Sequence, residues 1–331
     1  MEDNIQNNET PKEGGKKNIK KILTIVGRIV TVLSIVFVGR AIYKLGFDFS
    51  VIHNWPLFIL VSVVCAFVFG AGMFVQGYAW KLWLSFFSAR DIDTKGALCV
   101  YTKANIGKYL PGNVMHFVER NLFAERAGAS QSAVAFSSVA EIITQVLAAF
   151  IIALVGAGGT IFEVLDALFP GGYIPVVAGV IAAGVIFCVI AYFVAMKLFG
   201  EKIRAILSKY SVSGLILSLL KSMVLYMVVM LIGGVIMVVL YIYMGGTPDL
   251  KTSCLIVSCY VIAWVIGFVV IGAPGGIGVR EFVLTMTLGS AIGNELVVTL
   301  MVVHRLINIV GDFLAYLAQY LITGAEDKGK E

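Results

Sequence analysis

The stretch Ile106-Gly107-Lys108-Tyr109-Leu110-Pro111-Gly112, followed by Glu119-Arg120, interrupts an apolar chain and decides how the rest is read. A second stretch, Ile271-Gly272-Ala273-Pro274-Gly275-Gly276 followed by Arg280-Glu281, repeats its plan. Pro111 and Pro274 stand 163 residues apart. About thirty residues after each break a charge lies inside a long apolar run: Glu141 after the first and Arg305 after the second, 164 residues apart. Proline ends a helix because it lacks an N–H and clashes with the preceding turn. Glycine permits the reversal and a close backbone approach. Broken, polar segments at corresponding places in two halves point to a binding site within a membrane.

The composition agrees. The 331 residues are 59% hydrophobic and 14% charged, with a mean hydropathy of +0.94. A soluble domain carries about 25% charge, so the fold class is an all-α polytopic membrane protein. The sparse charges exclude a nucleic-acid surface. Cys65, Cys99, Cys188, Cys254 and Cys259 all lie in apolar segments and read as small buried hydrophobes. No metal-ligand cluster, Walker loop or Ser/His/Asp set is visible, so neither metal, cofactor nor catalytic residue is expected.

Six spans of about 20 residues or more are predicted, at 22–46, 56–80, 130–157, 174–196, 214–244 and 296–322. Segments 95–126 and 252–290 hold the two breaks and read as re-entrant hairpins packed inside protein, where freed backbone groups can be satisfied. Segment 252–272 is also apolar enough to cross alone, which leaves eight crossings as the alternative. Residues 1–21 form a polar, basic tail, expected to be disordered. The flanking apolar run is too long for a cleaved signal, and Arg40 and Lys44 stand where a small-residue cleavage site would fall. The membrane domain then covers 22–323, in halves of about 22–157 and 174–322, with a short tail at 324–331.

Placing the N-terminus inside puts sixteen Lys and Arg residues on the cytoplasmic side, against Lys251 and Arg280 outside. Both termini are therefore expected in the cytoplasm, in a multi-pass protein of the cell membrane. Each half carries three spans and a hairpin, so the second copy is inverted relative to the first. Such pairs build a midplane site that rocking of the halves exposes to either side.

The candidate site follows from where polarity persists in apolar surroundings. Ser137, Glu141 and Gln145 recur every four residues, and Arg305, Asn308 and Asp312 share a helical face. An intramembrane charge is a functional candidate by default. Glu141 and Arg305 line a substrate path in one reading and form a structural clasp with each other in the other; an internal Arg305–Asp312 pair is a further structural form. The half-helices after Pro111-Gly112 and Pro274-Gly275-Gly276 would offer N–H groups and a positive dipole end to an anion such as phosphate. Lys108, Arg120 and Arg280 add cations, unless the arginines only snorkel or pair with Glu119 and Glu281. His116 is a proton-relay or phosphate-donor candidate, with a structural hydrogen bond as the plainer reading. His304 carries the same choice. Trp55, Trp80 and Trp83 sit near predicted span ends, as interfacial anchors do.

The string from Ile106 to Gly112 with Glu119-Arg120, and Ala273-Pro274-Gly275-Gly276-Ile277-Gly278-Val279-Arg280-Glu281, resemble the two signatures of the membrane domain of lysylphosphatidylglycerol synthase/flippase proteins. The resemblance covers roughly residues 20–323. It implies a lipid-flipping membrane domain, which larger members join to a soluble domain that transfers lysine from lysyl-tRNA to phosphatidylglycerol. The sequence ends at Glu331, directly after the sixth predicted span. The expectation is therefore a lipid translocase for an anionic or aminoacylated phospholipid or a polyprenyl-phosphate-linked lipid. The alternatives are a lysyltransferase or membrane glycosyltransferase, and a non-transporting accessory of cell-envelope enzymes. Reporter fusions after Gly46, Gly159 and Gly246 should read as external, and those after Arg90, Lys209 and Lys330 as internal. An external C-terminus would exclude the inverted arrangement.

Overall fold

The computed structural model describes residues 49–52, 54–109, 115–123, 128–157, 211–269, 276 and 278–327. The expected spans 22–46 and 174–196, the tail 1–21, and Pro111, Gly112, Pro274 and Gly275 lie outside these residues. The described residues form α-helices and two 3-10 turns, with no strand among them. The helices are α1 (Trp55–Ser88), α2 (Thr94–Asn105), α3 (Met115–Phe123), α4 (Gln131–Ala157), α5 (Val212–Tyr243), α6 (Leu250–Val269), α7 (Val279–Ile292) and α8 (Asn294–Asp327). Five of them, α1, α4, α5, α6 and α8, are long and apolar enough to cross a membrane. The chain is an all-helical polytopic membrane protein.

The helix ends follow local chemistry. The Asn54 side chain accepts from Leu57 N–H at 3.2 Å and starts α1. Asp93 accepts from Gly96 N–H at 2.7 Å and starts α2, Ser211 starts α5 through Gly214 N–H at 3.3 Å, and Asp249 starts α6 through Thr252 N–H at 2.8 Å. Ala89, in the left-handed region at φ 50°, closes α1. That helix runs past the span end expected at residue 80. Lys81, the residue after that expected end, is 7% exposed and bonds Asp91 in the following loop. This hydrogen bond, reinforced by the charge, holds the Asp91 carboxyl below its ordinary range. Trp80 and Trp83 consequently lie inside the protein, 0% and 3% exposed, rather than at an interface; Trp55 is 45% exposed.

Segment 95–126 resolves into α2, a 3-10 turn at Ile106–Tyr109 and α3. Segment 252–290 resolves into α6 and α7. α6 is long and apolar enough to cross by itself, as the alternative reading of 252–272 allowed.

Exchanging α1–α4 with α5–α8 leaves the pattern of principal helix contacts unchanged. α1 packs on α5, which is its own counterpart. α1 touches α8 as α5 touches α4, and α2 touches α8 as α6 touches α4. The pairs α1/α2, α2/α3, α3/α4 and α1/α4 recur as α5/α6, α6/α7, α7/α8 and α5/α8. A methyl on Gly214, at the start of α5, would lie 3.2 Å from Phe86 near the end of α1. Mid-helix, one on Gly72 would lie 3.6 Å from Val229. The equivalent helices α1 and α5 are therefore antiparallel, which is the packing an inverted repeat produces.

The bundle is apolar outside and polar within. Ile59, Leu60, Val63, Val64, Phe67 and Val68 expose one face of α1, and Leu306, Ile309, Val310 and Phe313 one face of α8. Arg120, Glu141, Gln145 and Asp312 are buried. Close approaches use small residues, as expected where lipid supplies no hydrophobic drive between helices. At the α1–α8 crossing a methyl on Gly70 would sit 2.8 Å from Gly311 O, and one on Gly311 2.8 Å from Ala66 O. Both obstacles are backbone and cannot rotate away. Gly311→Ala should therefore lower stability by about 1–3 kcal/mol, read as a fall in the thermal midpoint of the purified protein. An unchanged midpoint would mean that the helices are not in backbone contact there.

Candidate functional site

Residues flanking the two breaks and the two intramembrane charges meet around one internal cavity. Lys108, His116, Arg120, Glu141, Arg280 and Arg305 all line it, with Gln145 and Asn308 from the two polar stripes. Its volume is about 90 Å³, several times the roughly 10–15 Å³ that one water requires. A smaller cavity between α6, α7 and α8 shares Arg280 and Arg305 with it and adds Glu281.

Glu141 and Arg305 do not form a clasp. Glu141 pairs with Arg120 of α3, and both side chains are 2% exposed. Arg305 pairs with Glu281 of α7, where the side chains are 18% and 21% exposed. The halves thus repeat one device with its signs exchanged: arginine on the short helix and glutamate on the long one in the first half, the reverse in the second. Arg305 is likewise held by Glu281 rather than by Asp312.

The first pair is the more deeply buried, although both its members also line the cavity. Tyr101 O–H donates to Glu141 Oε1 at 2.7 Å and Gln145 Nε2–H to the same oxygen at 3.3 Å, while Arg120 takes Oε2. The Arg120 guanidinium lies 4.0 Å from the Tyr101 ring centroid, 5.3 Å from Trp80 and 5.4 Å from Phe117. Ring quadrupoles attract a desolvated cation. This setting offsets the several kcal/mol that burying each ion costs. The second pair is looser and borders both cavities.

A third ion pair ties the halves together. Lys108 Nζ is 2.6 Å from Asp312 Oδ2, and Asn105 Nδ2–H donates to Asp312 Oδ1 at 3.0 Å. Lys108 belongs to the first break, Asp312 to the last helix.

The glycines of the breaks are fixed by space. A methyl on Gly107 would lie 2.7 Å from Glu119 Oε2 and 3.0 Å from the His116 backbone nitrogen. Glu119 therefore covers the turn rather than lining the cavity. Gly276 has φ +72°, and a methyl there would meet Gly267 O at 2.8 Å. Arg280 lies against both glycines, its guanidinium 5.7 Å from the Trp264 ring centroid. The N-terminus of α7, expected to receive an anion, is partly taken: Glu281 Oε2 accepts from Gly278 N–H at 2.6 Å. His116 lines the cavity, its ring centroid 3.9 Å from that of Phe117. His304 Nε2–H donates to Gly233 O at 3.1 Å and joins α8 to α5.

The sequence reading missed Tyr101 and Asn105 as site residues and took Trp80 for an interfacial anchor. Tyr101 and Asn105 are four apart on α2 and face the same interior. That spacing was the signal available.

An all-helical membrane bundle with an internal ion-lined cavity defines the class of this protein. Over residues 24–315 the sequence matches the family described as Lysylphosphatidylglycerol synthase TM region, and the chain belongs to that family. A comparison with curated proteins gives no match.

The pairing is tested by double-mutant cycles on thermal stability. Arg120→Gln or Glu141→Gln alone leaves a buried charge and should cost about 3–5 kcal/mol, with much of the loss recovered in the double variant. Glu281→Gln and Arg305→Gln should also be coupled, at smaller cost. A coupling between Glu141 and Arg305 larger than either would contradict this arrangement.

Proposed function

We propose that the protein moves a phosphate-bearing lipid between leaflets of the cell membrane, with the headgroup passing through the cavity while the acyl chains stay in lipid. The carrying observation is the cavity itself: Lys108, Arg120, Arg280 and Arg305 converge on one space inside an apolar bundle. Guanidinium forks suit phosphate oxygens, and lysine adds a point charge. Aromatic walls from Phe117, Trp264 and Phe268 give the space an apolar side. An anionic or aminoacylated phospholipid and a polyprenyl-phosphate-linked lipid share the required phosphate.

Family membership supports a membrane role, and the exchange symmetry of the helix contacts supports alternating exposure by rocking of the halves. Both termini lie in the cytoplasm in this reading. The segments that carry α2–α3 and α6–α7 act as the two gates in this reading. The more exposed Glu281–Arg305 pair receives the headgroup, and the more deeply buried Arg120–Glu141 pair lines the far wall of the same cavity.

The test is flipping of headgroup-labelled phosphatidylglycerol in liposomes holding the purified protein. Wild-type protein should move the label. Arg280→Gln should reduce the rate by tenfold or more while the thermal midpoint stays near wild type. Chemical conversion of the lipid would indicate an enzyme. Neither movement nor conversion by the wild type would favour an accessory role, and a wild-type rate in Arg280→Gln would remove the cation-lined cavity as the path.

A further inference from the structure

We infer that Asp312 is a tethered stand-in for the headgroup phosphate, holding Lys108 until a lipid anion competes for it. This deepens the lipid-translocase reading and rests on it.

Three observations converge. Lys108 has two sides: it lines the cavity, and its Nζ lies 2.6 Å from Asp312 Oδ2. The Asp312 side chain is 0% exposed and stands behind Lys108, outside the cavity lining. Lys108 is therefore shared between the cavity and the Asp312 carboxylate. Second, Asp312 is positioned rather than loosely placed. Asn105 Nδ2–H holds Oδ1 at 3.0 Å, so the carboxylate presents Oδ2 to the lysine. Third, the latch occurs in one half only. The offsets that relate Glu141 to Arg305 and Pro111 to Pro274 carry Asp312 back to Ala148 and Lys108 forward to Ile271. Ala148 is fully buried and cannot supply a charge. An ion pair between a short and a long helix occurs in each half, but the positions equivalent to this connection, Ala148 and Ile271, carry no charge.

An unmatched ion pair between the first break and the last helix biases the two inverted states. It favours the state in which the Ile106–Tyr109 turn is docked on α8. Two anions on one ammonium in a low-dielectric interior repel each other, so a bound phosphate weakens the Lys108–Asp312 contact. By reciprocity, the contact weakens phosphate binding by the same factor. Occupancy of the cavity and release of the Ile106–Tyr109 turn from α8 are thereby linked.

The experiment measures the affinity of purified protein for dioctanoyl phosphatidylglycerol, from the dependence of thermal midpoint on lipid concentration. Dioctanoylglycerol, which has the same chains and no phosphate, is the control. Asp312→Asn should lower the midpoint of the lipid-free protein yet bind the phosphatidylglycerol about tenfold more tightly, because the competing like charge is gone. Lys108→Gln with Asp312→Asn should lose that gain. A purely structural role for Asp312 predicts the lower midpoint with no change in affinity, and that result would overturn the inference. Tightening toward dioctanoylglycerol as well would also overturn it. Should Asp312→Asn fail to fold, Asn105→Ala carries the test: freeing Oδ1 should tighten phosphatidylglycerol binding severalfold, and an unchanged affinity overturns the latch. If wild-type protein binds no phosphatidylglycerol, the lipid reading itself fails, and the latch with it. Wild-type binding that Asp312→Asn leaves unaltered removes the latch alone.

Discussion

The cost of an ion in an apolar interior governs this molecule. Arg120, Glu141 and Asp312 lie within the bundle at 2% exposure each. Each therefore needs a partner of opposite sign and hydrogen bonds for its remaining polar atoms. The short helices α3 and α7 meet that need. They are too short to cross a bilayer, and each brings one charged residue to a long helix: Arg120 to Glu141, Glu281 to Arg305. The breaks that make these helices short are thus inseparable from the charges on the long ones. Small residues then let the long helices approach closely, as at Gly70 and Gly311.

The two pairs differ in how far they are closed. Tyr101, Gln145, Trp80 and Phe117 surround the first, whereas Arg305 of the second borders both cavities. The repeat thus has matching helix pairs but unequal burial of its two ion pairs. The Lys108–Asp312 connection adds to the asymmetry, since Lys108 lies in the half whose ion pair is the more deeply buried.

Helical class, the membrane itself and the long helices expected near 56–80, 130–157, 214–244 and 296–322 were legible in the sequence, since apolar length and charge scarcity decide them. The candidate site was legible as a set of residues: six of those singled out surround one cavity. What the sequence did not reveal was who pairs with whom. Periodicity groups residues on one helix face, but Arg120 and Glu141 lie on different helices 21 residues apart, and Lys108 and Asp312 lie 204 apart. Matching Glu141 with Arg305 was natural from their equivalent positions. It failed because equivalence under a repeat places residues in similar surroundings, not in contact. Trp80 was misplaced for another reason. The expected span ended at residue 80, and only the fold shows that α1 runs on and that Asp91 turns back to satisfy Lys81.

The local character of the two ion pairs bears on how the chain enters a membrane. Synthesis delivers the first half before the second exists. Arg120 and Glu141 are both in that first half, so it can neutralise its own buried charges on arrival and need not wait for distant residues. Glu281 and Arg305 give the second half the same independence. Neither half is forced to hold an orphan charge from these pairs in lipid while the other is being made. Lys108 instead pairs across the halves, with a carboxylate that is made 204 residues later. α8 therefore arrives as the piece that ties the second half to the first, and its docking marks the point at which insertion becomes assembly.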